Sequence, residues 1–257
     1  MKGHVLPMND YLERTAMLYG EEAVEKLSRC RVAVFGIGGV GGHATEALAR
    51  CGVGGITVVD NDTVSVSNIN RQIVALRSTV GRYKTDVIAE RIADINPDCR
   101  VNVRREFVLP ENIDSFELSS YDYVIDAIDT VAGKLAIIKA CDTAGTPCIS
   151  AMGAGNKLDP TKFVITDIYK TTTCPLAAVI RRECRKSGVR RLKVVYSTEE
   201  AKAPAFTPAS DGNTRKRTPA SAAFTPAVCG LMLASAVVED LVSEELSRSL
   251  EMRKSND

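Results

Sequence analysis

The chain predicts an α/β fold: a doubly wound, mostly parallel sheet with helices on both faces. Three observations carry this. Short β-branched runs alternate with segments of helical spacing. Several of those runs are apolar throughout rather than at every second position, as strands buried on both faces must be. A glycine-rich turn joins the first run directly to the next helix.

Residues 10–27 read as one helix, with Leu12, Ala16, Leu18, Val24 and Leu27 as apolar positions. Arg31–Phe35 (RVAVF) is the first strand, ended by glycine, and a helix covers about Gly41–Cys51. Gly55–Asp60 is the second strand. Lys84–Ile95 is helical by the spacing of Val87, Ile88, Ile92 and Ile95, and stops at Asn96-Pro97, because a residue before proline avoids the helical region. Val101–Phe107 alternates as a third strand, Tyr123–Ala127 is a fourth, Lys134–Ala144 a helix and Pro147–Ala151 a fifth strand. From Phe163 the pattern changes to a strand (FVITD), a basic helix over Pro175–Lys186 and a strand over Leu192–Tyr196. Residues 198–220 have no apolar period and read as a mobile loop. Thr225-Pro226 reads as a cap and first-turn proline opening an amphipathic helix to about Leu246. Residues 1–162 then form a nucleotide-binding unit with its N-terminal helix, and 163–257 a C-terminal extension of one continuous domain.

Composition narrows the function classes. The 257 residues carry a net charge of +1, so no global field draws the chain to nucleic acid or membrane. No basic, apolar leader opens the sequence, so a cytoplasmic protein is expected. The apolar stretch Val228–Val238 is shorter than the ~20 residues of a membrane span. Docking of this stretch on the core or a second subunit is expected, with peripheral membrane contact the lesser alternative. None of the eight cysteines forms a CxxC pair, so no structural zinc is expected.

Gly36-Ile-Gly38-Gly39-Val-Gly41-Gly42 lies between the first strand and its helix, where a tight turn lets backbone N–H groups reach a phosphate. Asp60 ends the next strand, placed to accept hydrogen bonds from ribose hydroxyls. This Rossmann-like signal establishes a nucleotide but leaves its identity open. The residues beyond the second strand favour a triphosphate: Asn68, Arg71 and Gln72 come just after Asp60, and Lys84 opens the next helix, so two cations converge on one site. A nicotinamide-binding module is the reading from another class. It lacks support from a hydride-transfer acid or base, since His4 and His43 are the only histidines.

The order Asp60, Asp62, Val64, Ser67, Asn68, Arg71, Gln72, then Val80, Gly81 and Lys84, resembles the E1-like (ThiF/MoeB) activating enzymes, as does Asp126-Ala-Ile-Asp129 at a strand end. The resemblance implies an E1-type C-terminal extension and an adenylating activity on ATP. It implies phosphate contacts for Asn68, Arg71 and Lys84 and a ribose contact for Asp60, with Asp62 as a second residue there. It also implies that Asp129 binds Mg²⁺ or orients the reacting carboxylate and phosphate, with Asp126 beside the nucleotide, and an arginine supplied across a homodimer, for which Arg14 is the candidate.

Over nearly the full length, GAGNKLDPT (153–161), the segment 170–177, LKVVYS and the glycine-containing apolar helix are similar to the tRNA threonylcarbamoyladenosine dehydratases. That branch implies activation of the carboxylate of threonylcarbamoyladenosine at tRNA position 37 and cyclisation with net loss of water. The cations Arg181, Arg182, Arg185, Lys186, Arg190, Arg191 and Lys193 then read as tRNA backbone contacts. The alternative on the same fold is an activator of a ubiquitin-like sulfur carrier, with Cys174 accepting a thioester; a sulfur-relay protein is a further candidate partner.

Overall fold

The structure, a computed structural model, describes residues 10–206 and 219–247. The single N-terminal helix expected over 10–27 is two helices, α1 (Glu13–Tyr19) and α2 (Glu21–Leu27). Gly20 between them sits at φ 95°, a region that glycine enters without strain, and turns the chain so that Leu12, Ala16 and Val24 close on one another.

The remaining elements alternate. β1 (Arg31–Phe35) leads to α3 (Gly41–Arg50), and β2 (Gly55–Val59) to α4 (Lys84–Ile95). Then come β3 (Arg100–Arg104), β4 (Tyr123–Asp126), α5 (Val131–Ala144), β5 (Cys148–Ala151), β6 (Phe163–Asp167), α6 (Pro175–Lys186), β7 (Lys193–Ser197) and α7 (Phe224–Leu241). The strands form one sheet in the order β3-β2-β1-β4-β5-β7-β6, parallel throughout except that β6 runs against β7.

Both faces of the sheet are covered, which is why the strand sequences show unbroken apolar runs. Val32 and Val34 of β1 face α3, α4 and α7, while Ala33 and Phe35 face α5 and the turns that hold Phe116 and Leu118. α6 closes the far end over Val194 and Tyr196 of β7. The third strand ends at Arg104, not at Phe107: its only neighbour among the described residues, β2, ends at Val59, the register partner of Arg104, so no ladder remains beyond it.

α7 begins at Phe224, ahead of the expected cap. Thr225 donates its hydroxyl to the Ala154 carbonyl (3.2 Å) and caps nothing. Val242 interrupts the helix, and 243–247 are helical again. At 18 residues and mean hydropathy 1.5, α7 is long and apolar enough to cross a membrane, longer than the stretch expected from sequence. Its apolar side is nevertheless core: Cys229, Leu233 and Val237 are fully buried, each large one worth ~1.5–3 kcal/mol of transfer free energy. Gly230 makes that contact with α3 possible, since a Cβ there would lie 2.2 Å from the Val40 carbonyl oxygen.

Of the expected loop at 198–220, residues 207–218 lie outside the described residues. The flanks are pinned at one residue. Asn156, at φ 59°, accepts from Lys202 N–H (2.9 Å) and donates its own N–H to the Ala220 carbonyl (2.7 Å). Its Oδ1 accepts the Ala220 N–H (2.8 Å).

Candidate active site

The chain runs outward from β1 through β2 to β3, then returns to begin again at β4 on the other side of β1. The order therefore reverses between β1 and β4, and the loops after these two strands part at the carboxyl edge, where open α/β sheets bind ligands. The glycine turn fills this crevice. Gly36 adopts φ 88°, and a Cβ on it would meet the Ala127 carbonyl oxygen at 2.8 Å, so the loops after β1 and β4 are in direct contact.

Asp60 braces the turn. One carboxylate oxygen accepts Ile37 N–H (2.7 Å) and the other accepts Asp62 N–H (2.8 Å), which ties the end of β2 to the phosphate loop. Each oxygen keeps a lone pair, and the residue is half-buried, so a ribose hydroxyl can still donate to it.

The segment after β2 folds back over the same turn. Asn68 Oδ1 accepts Ser65 N–H (3.1 Å) and starts a short 3₁₀ turn that presents the next four residues. Arg71 lies across Gly39: its Cγ is 3.4 Å from the place a Gly39 Cβ would take. Its guanidinium donates to Ser67 O (2.9 Å) and Asn70 Oδ1 (3.0 Å), and Asn70 donates in turn to Ser221 O (2.9 Å). Gln72 is buried with its amide nitrogen near Gly38, and its Oε1 has no partner among the described residues. A buried polar atom without a partner costs ~1–3 kcal/mol, so a ligand group or water at this point is favoured.

Lys84 is buried at the head of α4. Its side chain is 7% exposed, against 62% for Asp62, whose carboxylate accepts from Nζ at 2.7 Å. The lysine stem is packed under the loop, and its head group is held by Asp62. Asp62 is therefore the partner of Lys84, and its exposed carboxylate keeps lone pairs for a further donor. Asp60, Asp62 and Lys84 form one hydrogen-bonded chain leading to Ile37.

The two aspartates of the Asp126-x-x-Asp129 pattern part company. Asp129 is exposed on the loop after β4. Asp126 is fully buried and cannot touch a nucleotide as expected: it accepts from Lys134 Nζ (2.9 Å) and Ser150 Oγ (2.6 Å). Lys134, equally buried, is absent from the residues picked out by sequence. Its signal was a cation set directly against the apolar stretch Leu135–Ile138 of α5.

Elsewhere the structure sorts the remaining candidates. Arg14 is exposed on α1. The seven cations of 181–193 are not equally available to a partner. Arg181 is tied to Thr171, donating to its carbonyl (2.8 Å) and hydroxyl (2.6 Å), and Lys193 is paired with Asp240 (2.7 Å). Arg182 and Lys186 share Glu183, and Arg185 stacks on Tyr169. Arg190 and Arg191 are exposed.

Cys174 is 3% exposed, enclosed by Met152, Ile168 and Ala177, with its sulfur near Gly153. A thioester acceptor needs an accessible thiolate. Burial also pushes the thiols of Cys99 and Cys184 up to about 11 and that of Cys229 up to about 12. A cleft of about 990 Å³ lies at the opposite edge of the sheet, between Asp122, Asp142, Thr166, Lys170, Arg191 and Asp240. It contains none of the nucleotide-site residues.

A model of the ThiF family matches residues 12–255. The tRNA threonylcarbamoyladenosine dehydratase of Bacillus subtilis (strain 168) is 43% identical, across 90% of this chain and 94% of that protein. Its namesake in Escherichia coli (strain K12) is 47% identical over 72% of each chain. The crystal structure of the E. coli enzyme in complex with ATP superposes with a TM-score of 0.83 at 38% identity, covering 93% of this chain and 98% of that one.

Proposed function

The chain belongs to the ThiF family, and from that premise we propose that it is an ATP-dependent tRNA threonylcarbamoyladenosine dehydratase. The observation that carries this is the convergence of Arg71 and the Asp60–Asp62–Lys84 chain on the glycine turn at the β1/β4 switch point. Full-length similarity to enzymes of that name supports the substrate.

A carboxylate is a poor electrophile at neutral pH. Its oxygen attacks the α-phosphorus of ATP, the bond to the β-phosphate breaks, and pyrophosphate leaves with its electron pair. An atom of the same threonylcarbamoyl group then attacks the activated carbonyl and expels AMP, which carries away the carboxylate oxygen. The sum is loss of one water from the nucleoside. Neither step requires a protein nucleophile. The chain has to hold the triphosphate, stabilise charge at the α-phosphate and exclude competing water. The turn Gly36–Gly41 supplies N–H donors, and Arg71 and the unused Nζ donors of Lys84 supply positive charge. Gln72 Oε1, an acceptor, takes a donor group of the nucleotide, and Asp60 holds the ribose.

Asp129 fits a Mg²⁺ ion: it is an exposed hard oxygen donor beside the turn, and this ion is held by one or two carboxylates plus phosphate oxygens and water. When bound, the ion would neutralise phosphate charge. We assign Arg14 to the site of the second subunit in a homodimer.

Incubation with ATP and threonylcarbamoylated tRNA should give a nucleoside lighter by one water, read by mass. Unmodified tRNA should give none. Persistence of the starting nucleoside would remove this reading. The sulfur-carrier alternative is disfavoured by the enclosure of Cys174, so Cys174→Ser should keep activity within about 3-fold; total loss, or a trapped thioester, would reverse the preference.

The tRNA contacts are assigned to Arg182, Arg185, Lys186, Arg190 and Arg191. Changing Arg185, Arg190 and Arg191 together to alanine should flatten the slope of log K against log salt by about 2–3, since each phosphate contact contributes ~0.9. Arg181→Ala should instead lower thermal stability by about 1.5 kcal/mol, because it uncaps Thr171, with little change in the slope.

A further inference from the structure

We propose that Lys134 is a positioning residue of the adenylation site: with Asp126 and Ser150 it clasps the loop that presents Asp129. The inference rests on the adenylation reading for the role of Asp129 but on geometry alone for the clasp. Asp126 is the last residue of β4, and Lys134 lies in the first turn of α5. Their ion pair, 2.9 Å long and 0% exposed on both sides, therefore bridges the two stems of the loop Ala127–Thr130. The loop is held from inside as well. Asp126 Oδ1 accepts Ile128 N–H (3.3 Å), and Lys134 N–H donates to the Thr130 carbonyl (3.0 Å). Ser150 on β5 donates to Asp126 Oδ2 (2.6 Å) and accepts from Lys134 Nζ (3.2 Å), which anchors the clasp to the next strand.

A buried ion pair is weak as a source of stability, because desolvating two charges offsets their attraction, and apolar replacements of similar volume are often no less stable. Retaining one here therefore calls for a reason of geometry. Gly133 points the same way: a Cβ there would meet Ile128 Cδ1 at 2.7 Å and Thr130 Oγ1 at 2.9 Å, so the α5 stem is packed hard against the loop. The clasp fixes the outward direction of Asp129 while remaining out of reach of the substrate itself. A carboxylate that must sit at a set distance from a phosphate gains most from such bracing.

Removing only one charge would strand the other in the core and risk unfolding. The test therefore compares wild type with Asp126→Asn/Lys134→Met, in which both charges go and the volumes stay close, and with Ser150→Ala. Backbone amides of 127–130 should exchange with deuterium ~10-fold faster or more in the double variant than in wild type at equal global stability, as expected for a locally freed segment. Exchange at those amides unchanged in both variants would overturn the clasp. On the catalytic side, kcat for tRNA-dependent ATP–pyrophosphate exchange should fall ~10²-fold, the Mg²⁺ concentration for half-maximal rate should rise, and KM for ATP should stay within about 2-fold. A folded double variant with wild-type kcat and Mg²⁺ dependence would overturn the positioning role. A wild-type chain without exchange activity would remove the adenylation reading and leave the deuterium result to decide the clasp.

Discussion

Lys84→Met should lower tRNA-dependent ATP–pyrophosphate exchange by ~10²–10³-fold, the cost of deleting one preorganised charge-stabilising donor. The chain should stay folded. Methionine keeps the stem that is packed beneath the loop and deletes only Nζ, while Asp62, 62% exposed, loses its partner without losing water. An exposed half of an ion pair contributes little, so the expected stability change is within about 1 kcal/mol. Alanine at this position is the worse probe, because it would also empty the space the stem fills. Arg71→Ala should cost a similar factor, and the fold should survive it, since among the described residues its guanidinium is bonded only to Ser67 O and Asn70 Oδ1. If both cations act on one triphosphate, the double variant should be less impaired than the product of the single effects. Near-normal exchange in both single variants, measured at saturating ATP, would remove AMP transfer from the mechanism.

The difference between Arg71 and Lys84 shows where the sequence was legible and where it was not. Spacing within a motif gives the order of side chains along a loop, and this placed both cations beside the glycine turn. Depth is a different quantity. Lys84 is buried because Val64, Thr63 and Tyr83 bring its loop back over the head of α4, with Thr63 bridged to Tyr83, a contact between residues 20 apart. The same limit misplaced Asp126. In Asp126-x-x-Asp129 the pattern names two carboxylates, but only strand pairing shows that the first sits between Ser150 and Lys134 in the core. Strands β1 and β6 and helices α4 and α6 matched their predicted bounds because a breaker or a change of period marks each end. Gly20 was passed over since one glycine in a helical pattern is usually tolerated, and here its positive φ decided. All seven cations of the basic segment read alike as tRNA contacts because charge alone cannot tell Arg181, a cap on Thr171, from Arg190, which is exposed.

Gly38→Ala and Gly41→Ala should separate binding from folding at the same turn. A Cβ on Gly41 would lie 1.8 Å from the Gly36 carbonyl oxygen and 3.2 Å from the Ala127 side chain, and neither the turn nor the loop after β4 can retreat without opening the core. Gly41→Ala should therefore destabilise the chain by more than about 3 kcal/mol, the range of severe overpacking, and lose activity through loss of the fold. Gly38 is the opposite case. Its φ is ordinary, and the nearest atom to an added Cβ is Gln72 Nε2 at 3.9 Å, so alanine meets no protein atom closely. Only a group approaching the backbone N–H donors of the turn would encounter the methyl. Gly38→Ala should melt within about 1 kcal/mol of wild type, since relieving glycine's chain entropy offsets small losses. Its ATP affinity should fall ~10–100-fold, because the methyl stands where backbone and phosphate must approach. Calorimetric titration with ATP, next to thermal melts of both variants, checks the pair. Undiminished ATP binding by folded Gly38→Ala would mean that phosphate sits elsewhere than over this turn.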